Sequence, residues 1–265
     1  MSQRFSYLLP KVIETALEAG NEIMQIYETG FNVEWKDNHS PLTLADKRAH
    51  QAIYDRLSAL FPVLSEEGKT IDYNERKRWD VFWMVDPLDG TKEFIRKNGE
   101  FTVNIALIKE QVPVLGVVYA PALNVLYFGD ESTGSFKTTW LKHEQPDAHA
   151  IISSAIKIPV SRAGRKFTVV ASRSHMTSET RTFIEKLKKE HGEIEFISSG
   201  SSLKLCLVAE GVADVYPRLA PTSEWDTAAG HAVVLYAGKS MVEYDSGLPV
   251  KYNKPDLLNA WFVVS

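Results

Sequence analysis

The segment Trp83-Met84-Val85-Asp86-Pro87-Leu88-Asp89-Gly90-Thr91 runs from apolar residues into two carboxylates, a proline, a glycine and a hydroxyl. Asp86, Asp89 and the Leu88 carbonyl are hard oxygen donors of the kind Mg2+ takes. A strand end facing solvent is a common place for a site. Gly90 lets the backbone turn sharply, and a helix opening near Thr91 would point free N–H groups at a phosphate. Taken alone, the segment serves equally well as an ordinary Asp-Pro/Asp-Gly turn.

Further acids lie elsewhere in the chain. Glu66 and Glu67 follow the apolar pair Val63-Leu64. At a strand end they need a cation or solvent to face, and on a surface loop adjacent glutamates are common. Asp226 stands in Ser223-Glu224-Trp225-Asp226-Thr227-Ala228-Ala229-Gly230, just ahead of the stripe Ala229, Ala232, Val233 and Tyr236. An acid there also suits a helix start, where it complements the dipole. Asp46 follows Thr43 at the spacing of a capping arrangement.

These residues need elements to position them. Val12, Ala16, Ala19, Ile23 and Ile26 recur at helical spacing between Pro10 and Gly30. Ala49, Ala52, Ile53, Leu57 and Leu60 repeat the pattern in a second helix that Thr43 caps and Pro62 ends. Val81–Val85, Thr102–Ile108, Val112–Tyr119 and Val125–Phe128 are rich in β-branched and aromatic residues and read as a largely antiparallel sheet. The polar stretch from Trp140 to Ala150 is the expected boundary between subdomains, with residues 1–145 on one side and 146–265 on the other. Beyond it the rhythm alternates. Strands are expected at Phe167–Ala171, Glu193–Ile197, Asp214–Tyr216 and Ala260–Val264, and helices at Glu179–Glu190, Ser201–Glu210 and Asp226–Ala237. The expected fold is a layered α/β (α+β) sandwich with its site in a cleft between the two subdomains.

Composition excludes several classes. The 265 residues are 44% hydrophobic and 24% charged, which fits a globular protein and not a disordered, collagenous or coiled-coil one. Thirty Lys+Arg against 34 Asp+Glu leave a formal net charge of −4, so there is no chain-wide basic field for a nucleic acid polymer or an anionic membrane. Any anionic ligand must be held locally. The single cysteine, Cys206, forms no intrachain disulfide, and the N-terminal residues lack the pattern of a secretory signal, so the cytoplasm is the expected compartment. The most apolar stretch, Val112–Phe128, is too short and too interrupted by Pro113, Gly116 and Pro121 to span a bilayer. The mild acidity gives no electrostatic reason for peripheral contact with the cytoplasmic face of the inner membrane. Gly238-Lys239-Ser240 ends like a phosphate loop, but position 233 is valine where the motif needs glycine, and HExxH, GxGxxG and GxSxG are absent.

Leu64-Ser65-Glu66-Glu67, the Asp86–Thr91 segment and Glu224-Trp225-Asp226-Thr227-Ala228-Ala229-Gly230, in that order, resemble the signature of the lithium-sensitive, magnesium-dependent phosphomonoesterases of the inositol monophosphatase superfamily. Lys92-Glu93-Phe94-Ile95, Asn98–Asn104 and Gly200-Ser201-Ser202-Leu203-Lys204 are similar, within it, to the bacterial 3′(2′),5′-bisphosphate nucleotidases of sulfate assimilation. The resemblance implies an αβαβα sandwich. It also implies that Glu66, Asp86, the Leu88 carbonyl, Asp89 and Asp226 hold two or three Mg2+ ions, and that Thr91, paired with Asp46, orients the attacking water together with Glu66. Elementary electrostatics agrees, since four converging carboxylates repel unless cations bind or some stay protonated.

A second phosphate needs its own cationic and N–H partners. For these the resemblance points to His175, Ser201, Lys204 and Arg218, with Glu66, Leu88, Asp89, Gly90, Thr91 and Asp226 around the phosphate that is cleaved. Each contact in the second half also has a plainer role: Lys204 and Arg218 as solvated charges, His175 as a turn residue, Ser201 as a cap. The implied reaction is hydrolysis of the 3′-phosphate of adenosine 3′,5′-bisphosphate to AMP. A phosphatase for inositol monophosphate or a sugar bisphosphate, and a silent Mg2+- or nucleotide-sensing module, are the alternatives.

Overall fold

The structure, a computed structural model, describes residues 5–29, 33–35, 41–141, 144, 146–160, 164–171 and 177–265. Helix α1 (Leu9–Tyr27) is followed by an antiparallel pair, β1 (Val33–Trp35) and β2 (Pro41–Thr43), and by α2 (Leu44–Leu57). Thr43 starts α2 through a full capping box with Asp46. That pairing satisfies two otherwise orphaned backbone donors.

A seven-stranded sheet comes next in the order β3 (Val63–Ser65), β4 (Val81–Asp89), β5 (Thr102–Lys109), β6 (Val112–Ala120), β7 (Val125–Asp130), β8 (Gly134–Thr139) and β9 (Ile156–Ile158). Only the β3–β4 pair is parallel. Short helices α3 (Tyr73–Arg76) and α4 (Thr91–Ile95) flank β4, and α5 (Ala148–Ser154) precedes β9. Alternation along β4 sends Trp83 and Val85 toward α1 and α2, and Phe82 and Met84 to the opposite face.

That opposite face carries α7 (Leu203–Glu210) and α8 (Ala228–Tyr236), both apolar and almost wholly buried. Gly116 of β6 lets α8 settle directly on the sheet, because a Cβ there would lie 2.4 Å from the Ala229 carbonyl oxygen. Beyond these helices a second layer of strands runs β11 (Glu195–Ser198), β10 (Thr168–Ala171), β12 (Tyr216–Arg218), β14 (Phe262–Val264) and β13 (Met241–Glu243), with β10 joined to β12 through the Val169–Val215 bridge. Helix α6 (Ser178–His191) covers its outer side through Ile184 and Leu187, which pack on Val169 and Val215. The layers therefore run αβαβα, as expected. The division expected at 145/146 leaves α5 and β9 on the far side, yet Ala148 and Ile151 pack in the core under α1, and β9 pairs with β8. The apolar face of α5 completes the first core and Ile158 of β9 joins the core on the opposite face of the sheet, although the stretch leading to them is polar. Among the described residues, no helix is long and apolar enough to cross a membrane.

Candidate active site

Three of the expected acids meet at strand and helix ends. Glu66 follows β3, where its N–H donates to the Val85 carbonyl at 3.1 Å and Gly68 N–H closes the turn onto the Ser65 carbonyl. Asp86 sits where β4 loses its register with β5: Asp86 pairs with Asn104 and Asp89 with Thr102, so one extra residue bulges out between them. A bulge re-aims side chains at a strand end. Leu88 N–H donates to Asp86 Oδ1 at 3.1 Å, and Gly90 at φ 91° releases the chain into α4 at Thr91. Asp226 lies in the turn before α8, its Oδ2 accepting from Ser223 N–H at 2.9 Å. Glu66, Asp86 and Asp226 each bring one carboxylate oxygen within 4.8 Å of the others.

These residues open on a cavity of about 280 Å3, lined also by Leu88, Asp89, Gly90, Thr91, Ser201, Lys204, Tyr216 and Arg218. The two halves of the chain meet across it. Asp46 stays behind the wall, buried, with Oδ2 in the α2 cap and Oδ1 3.4 Å from the Thr91 hydroxyl. Thr91 Oγ1 also lies 3.5 Å from the Leu88 carbonyl.

Electrostatics marks the cluster as short of positive charge. Burial, then Glu66, Asp89, Asp226 and Asp46, push the Asp86 carboxyl well above its ordinary range. Burial and Asp89 lead in pushing Asp226 up to about 8. Asp89 is raised by burial, against Lys204 and hydrogen bonds from Ser202 and Asn104. Lys204 itself is pulled down to about 8 by burial, against Asp89. Three converging carboxylates, Asp86 buried and Glu66 and Asp226 half-buried, offer oxygen donors only, and the group fits a hard divalent cation on charge, donor type and convergence.

Other lining residues suit an anion. Lys204 is 6% exposed and its Nζ is fixed on the Ser201 carbonyl. Arg218 Nη2 donates to the Pro221 carbonyl at 2.8 Å, while its Nε is buried with no hydrogen-bond partner among the described residues. Ser201 holds φ at 44° and pairs with the Thr102 hydroxyl at 2.9 Å. His175 lies outside the described residues.

Sequence reasoning assigned no role to Ser202, Asn104 or Thr102. Ser202 Oγ is 2.9 Å from Asp89 Oδ2 and 2.6 Å from the Asp226 carbonyl, so it bridges acids from the two halves. Asn104 Nδ2 donates to Ser202 Oγ at 2.8 Å, and Thr102 Oγ1 to Asn104 Oδ1 at 3.0 Å. Asn104 lies inside a quoted motif, yet only its pairing opposite Asp86 shows what it holds.

An αβαβα sandwich whose strand ends gather acids around a cleft defines the class of layered sugar-phosphatase-type proteins. A family model described as the inositol monophosphatase family matches residues 6–262, and the chain belongs to that family. It is 45% identical over 264 residues to the 3′(2′),5′-bisphosphate nucleotidase CysQ of Escherichia coli K12, covering 97% of this chain and 99% of that one. The crystal structure of CysQ from Bacteroides thetaiotaomicron is 53% identical, with a TM-score of 0.87 over 96% of this chain and 94% of that chain. The Thermotoga maritima IMPase, 24% identical with a TM-score of 0.73 over 96% of this chain and 90% of that chain, shares the fold.

Proposed function

We propose that this chain is a 3′(2′),5′-bisphosphate nucleotidase that hydrolyses the 3′-phosphate of adenosine 3′,5′-bisphosphate to AMP and phosphate. The observation that carries the reading is one cavity lined both by the converging Glu66, Asp86 and Asp226 and by Lys204 and Arg218. A substrate that carries a second phosphate besides the one at the acids suits a site lined by both carboxylates and fixed cations. The nucleotidase relatives, which align over nearly the whole chain, support the same substrate class.

Glu66, Asp86, the Leu88 carbonyl, Asp89 and Asp226 would hold two or three Mg2+ ions. When bound, Mg2+ supplies charge neutralisation for the phosphoryl oxygens and a lowered pKa for water. Asp46, already engaged by the α2 cap, accepts the Thr91 hydroxyl proton, which leaves a Thr91 Oγ1 lone pair for a proton of the attacking water. Glu66 orients the same water from the opposite side. The water oxygen forms the new bond to phosphorus, the bond from phosphorus to O3′ breaks, and O3′ leaves as the ribose hydroxyl after taking up a proton. Lys204, Arg218 and Ser201 hold the 5′-phosphate, with His175 as the further expected contact. The cytoplasm is the compartment we expect, given the single unpaired cysteine and the nucleotide substrate. Lithium is expected to inhibit at millimolar concentration by taking a Mg2+ position with too little charge.

Phosphate release from adenosine 3′,5′-bisphosphate, inositol 1-phosphate and fructose 1,6-bisphosphate, with and without Mg2+, tests the reading. The expected result is Mg2+-dependent turnover fastest on the nucleotide. Faster release from inositol 1-phosphate or fructose 1,6-bisphosphate would move the assignment to that substrate. Tight nucleotide binding without turnover of any of them would point to a sensor.

A further inference from the structure

Glu66 and Asp226 reach the cavity from opposite halves of the chain, and a buried link joins the backbones that carry them. The turn after Glu66 leads into α3, whose last residue, Arg76, is 3% exposed. Arg76 Nη1 donates to Asn253 Oδ1 at 2.8 Å and to the Lys254 carbonyl at 2.6 Å, and Nη2 donates to the Pro255 carbonyl at 2.8 Å. Asn253 Nδ2 returns to the Arg76 carbonyl at 2.8 Å. Asn253 sits at φ 62°, and its N–H donates to Glu224 Oε2 at 2.5 Å, while Lys254 N–H reaches Glu224 Oε1 at 3.1 Å. Lys254 Nζ also pairs with Glu224 Oε1. Glu224 is 0% exposed, and its carbonyl accepts from Ala228 N–H at 3.0 Å, so its backbone spans the turn containing Asp226.

Stability alone is a poor reason for this arrangement. A buried ion pair adds little over well-packed apolar residues of similar size. What the network does fix is distance, because Arg76 and Asn253 tie backbone of the two halves together and Glu224 ties the 253–254 backbone to the turn containing Asp226. Groups behind metal ligands commonly tune affinity by orienting them. We infer that Arg76, Asn253 and Glu224 form a strut that sets the separation of Glu66 and Asp226, and with it the affinity for a divalent cation. The three are positioning residues, and the inference rests on the metal reading above.

Asn253→Gly is the clean variant, since glycine keeps the positive φ while the side-chain link to Arg76 is lost. Glu224→Gln is its companion. Mn2+, a hard-oxygen-seeking probe, is titrated into each full-length protein without substrate and followed by electron paramagnetic resonance. Affinity is expected to fall about 10-fold to 100-fold in both variants, with unchanged far-ultraviolet circular dichroism. Should Glu224→Gln not fold, Asn253→Gly decides alone. Glu210→Gln is the control, a buried carboxylate held by Tyr127 and Lys137 away from the cluster, and is expected to keep wild-type affinity. Wild-type affinity in Asn253→Gly, or an equal loss in Glu210→Gln, would overturn the strut. A wild-type protein that takes up no Mn2+ would overturn the metal reading and the strut with it.

Discussion

Replacing Asp86 by asparagine should make the metal-free protein more stable while removing its function. Asp86 is 2% exposed, and carboxylate oxygens of Glu66 and Asp226 lie within 4.8 Å of its own. At an effective dielectric constant of about 20, two unit charges at that separation repel by roughly 3.5 kcal/mol. Protonation relieves part of this, so the net gain from Asp86→Asn at pH 8 is about 2–4 kcal/mol, or roughly 5–10 °C in melting temperature for a chain of this size. The amide keeps an oxygen for Leu88 N–H, so the local turn survives. The sign follows from the raised carboxyl. The stability linked to its proton is complete below the ordinary carboxylate range and is lost as pH rises through the folded value, so the advantage of Asp86→Asn grows with pH and shrinks toward pH 5. Thermal unfolding in EDTA and in excess Mg2+, from pH 5 to 8, measures it. Mg2+ is expected to raise the wild-type melting temperature and leave Asp86→Asn unmoved and inactive. If Asp86→Asn melts below wild type in EDTA at pH 8, or keeps its Mg2+ response, the repelling-carboxylate argument is wrong.

Other outcomes follow from the same geometry. Wild-type protein in EDTA should lose stability between about pH 4 and 8, because Asp226 is pushed from 3.8 to about 8; saturating Mg2+ should cancel the slope, and calorimetry across that range reads it. Ser202→Ala removes the hydroxyl between Asp89 and the Asp226 carbonyl and should raise the Mg2+ concentration for half-maximal turnover about 10-fold or more, measured as a metal activation curve. Lys204→Met should raise KM for adenosine 3′,5′-bisphosphate by roughly 10-fold to 100-fold, the worth of a charge-assisted hydrogen bond. The same variant should move KM for adenosine 3′-monophosphate much less; equal shifts would place Lys204 off the second phosphate.

Much of the fold can be read along the chain because local rules and tertiary packing agree. The stripe from Val12 to Ile26 is buried in α1, and Thr43 caps α2 as its type and spacing suggest. Strands β4 to β7 of the large sheet fall where β-branched and aromatic residues cluster. What stayed hidden depends on partners distant in sequence. Helix α5 and β9 follow a polar stretch with no period of their own, and only β8 and the core under α1 give them a place. In the site, acids flanked by apolar runs stood out. Asn104 and Ser202 did not, because a polar residue in a strand or at a helix start has many ordinary uses. Glu224 could be seen beside Asp226, but its partners at 253 and 254 are visible only in the folded chain.

The bare backbone at Gly116 has a consequence far from any reacting atom. Helix α8 rests there with no spacer, and Asp226 enters the cavity just ahead of that helix. A single methyl group at 116 would act as a shim, raising the helix off the sheet and drawing its leading acid out of register with Glu66 and Asp86. Gly116→Ala is therefore expected to weaken Mn2+ uptake although Glu66, Asp86 and Asp226 all remain. The spacing of the acids can thus be set by the bearing surface beneath the helix, with the acids themselves untouched.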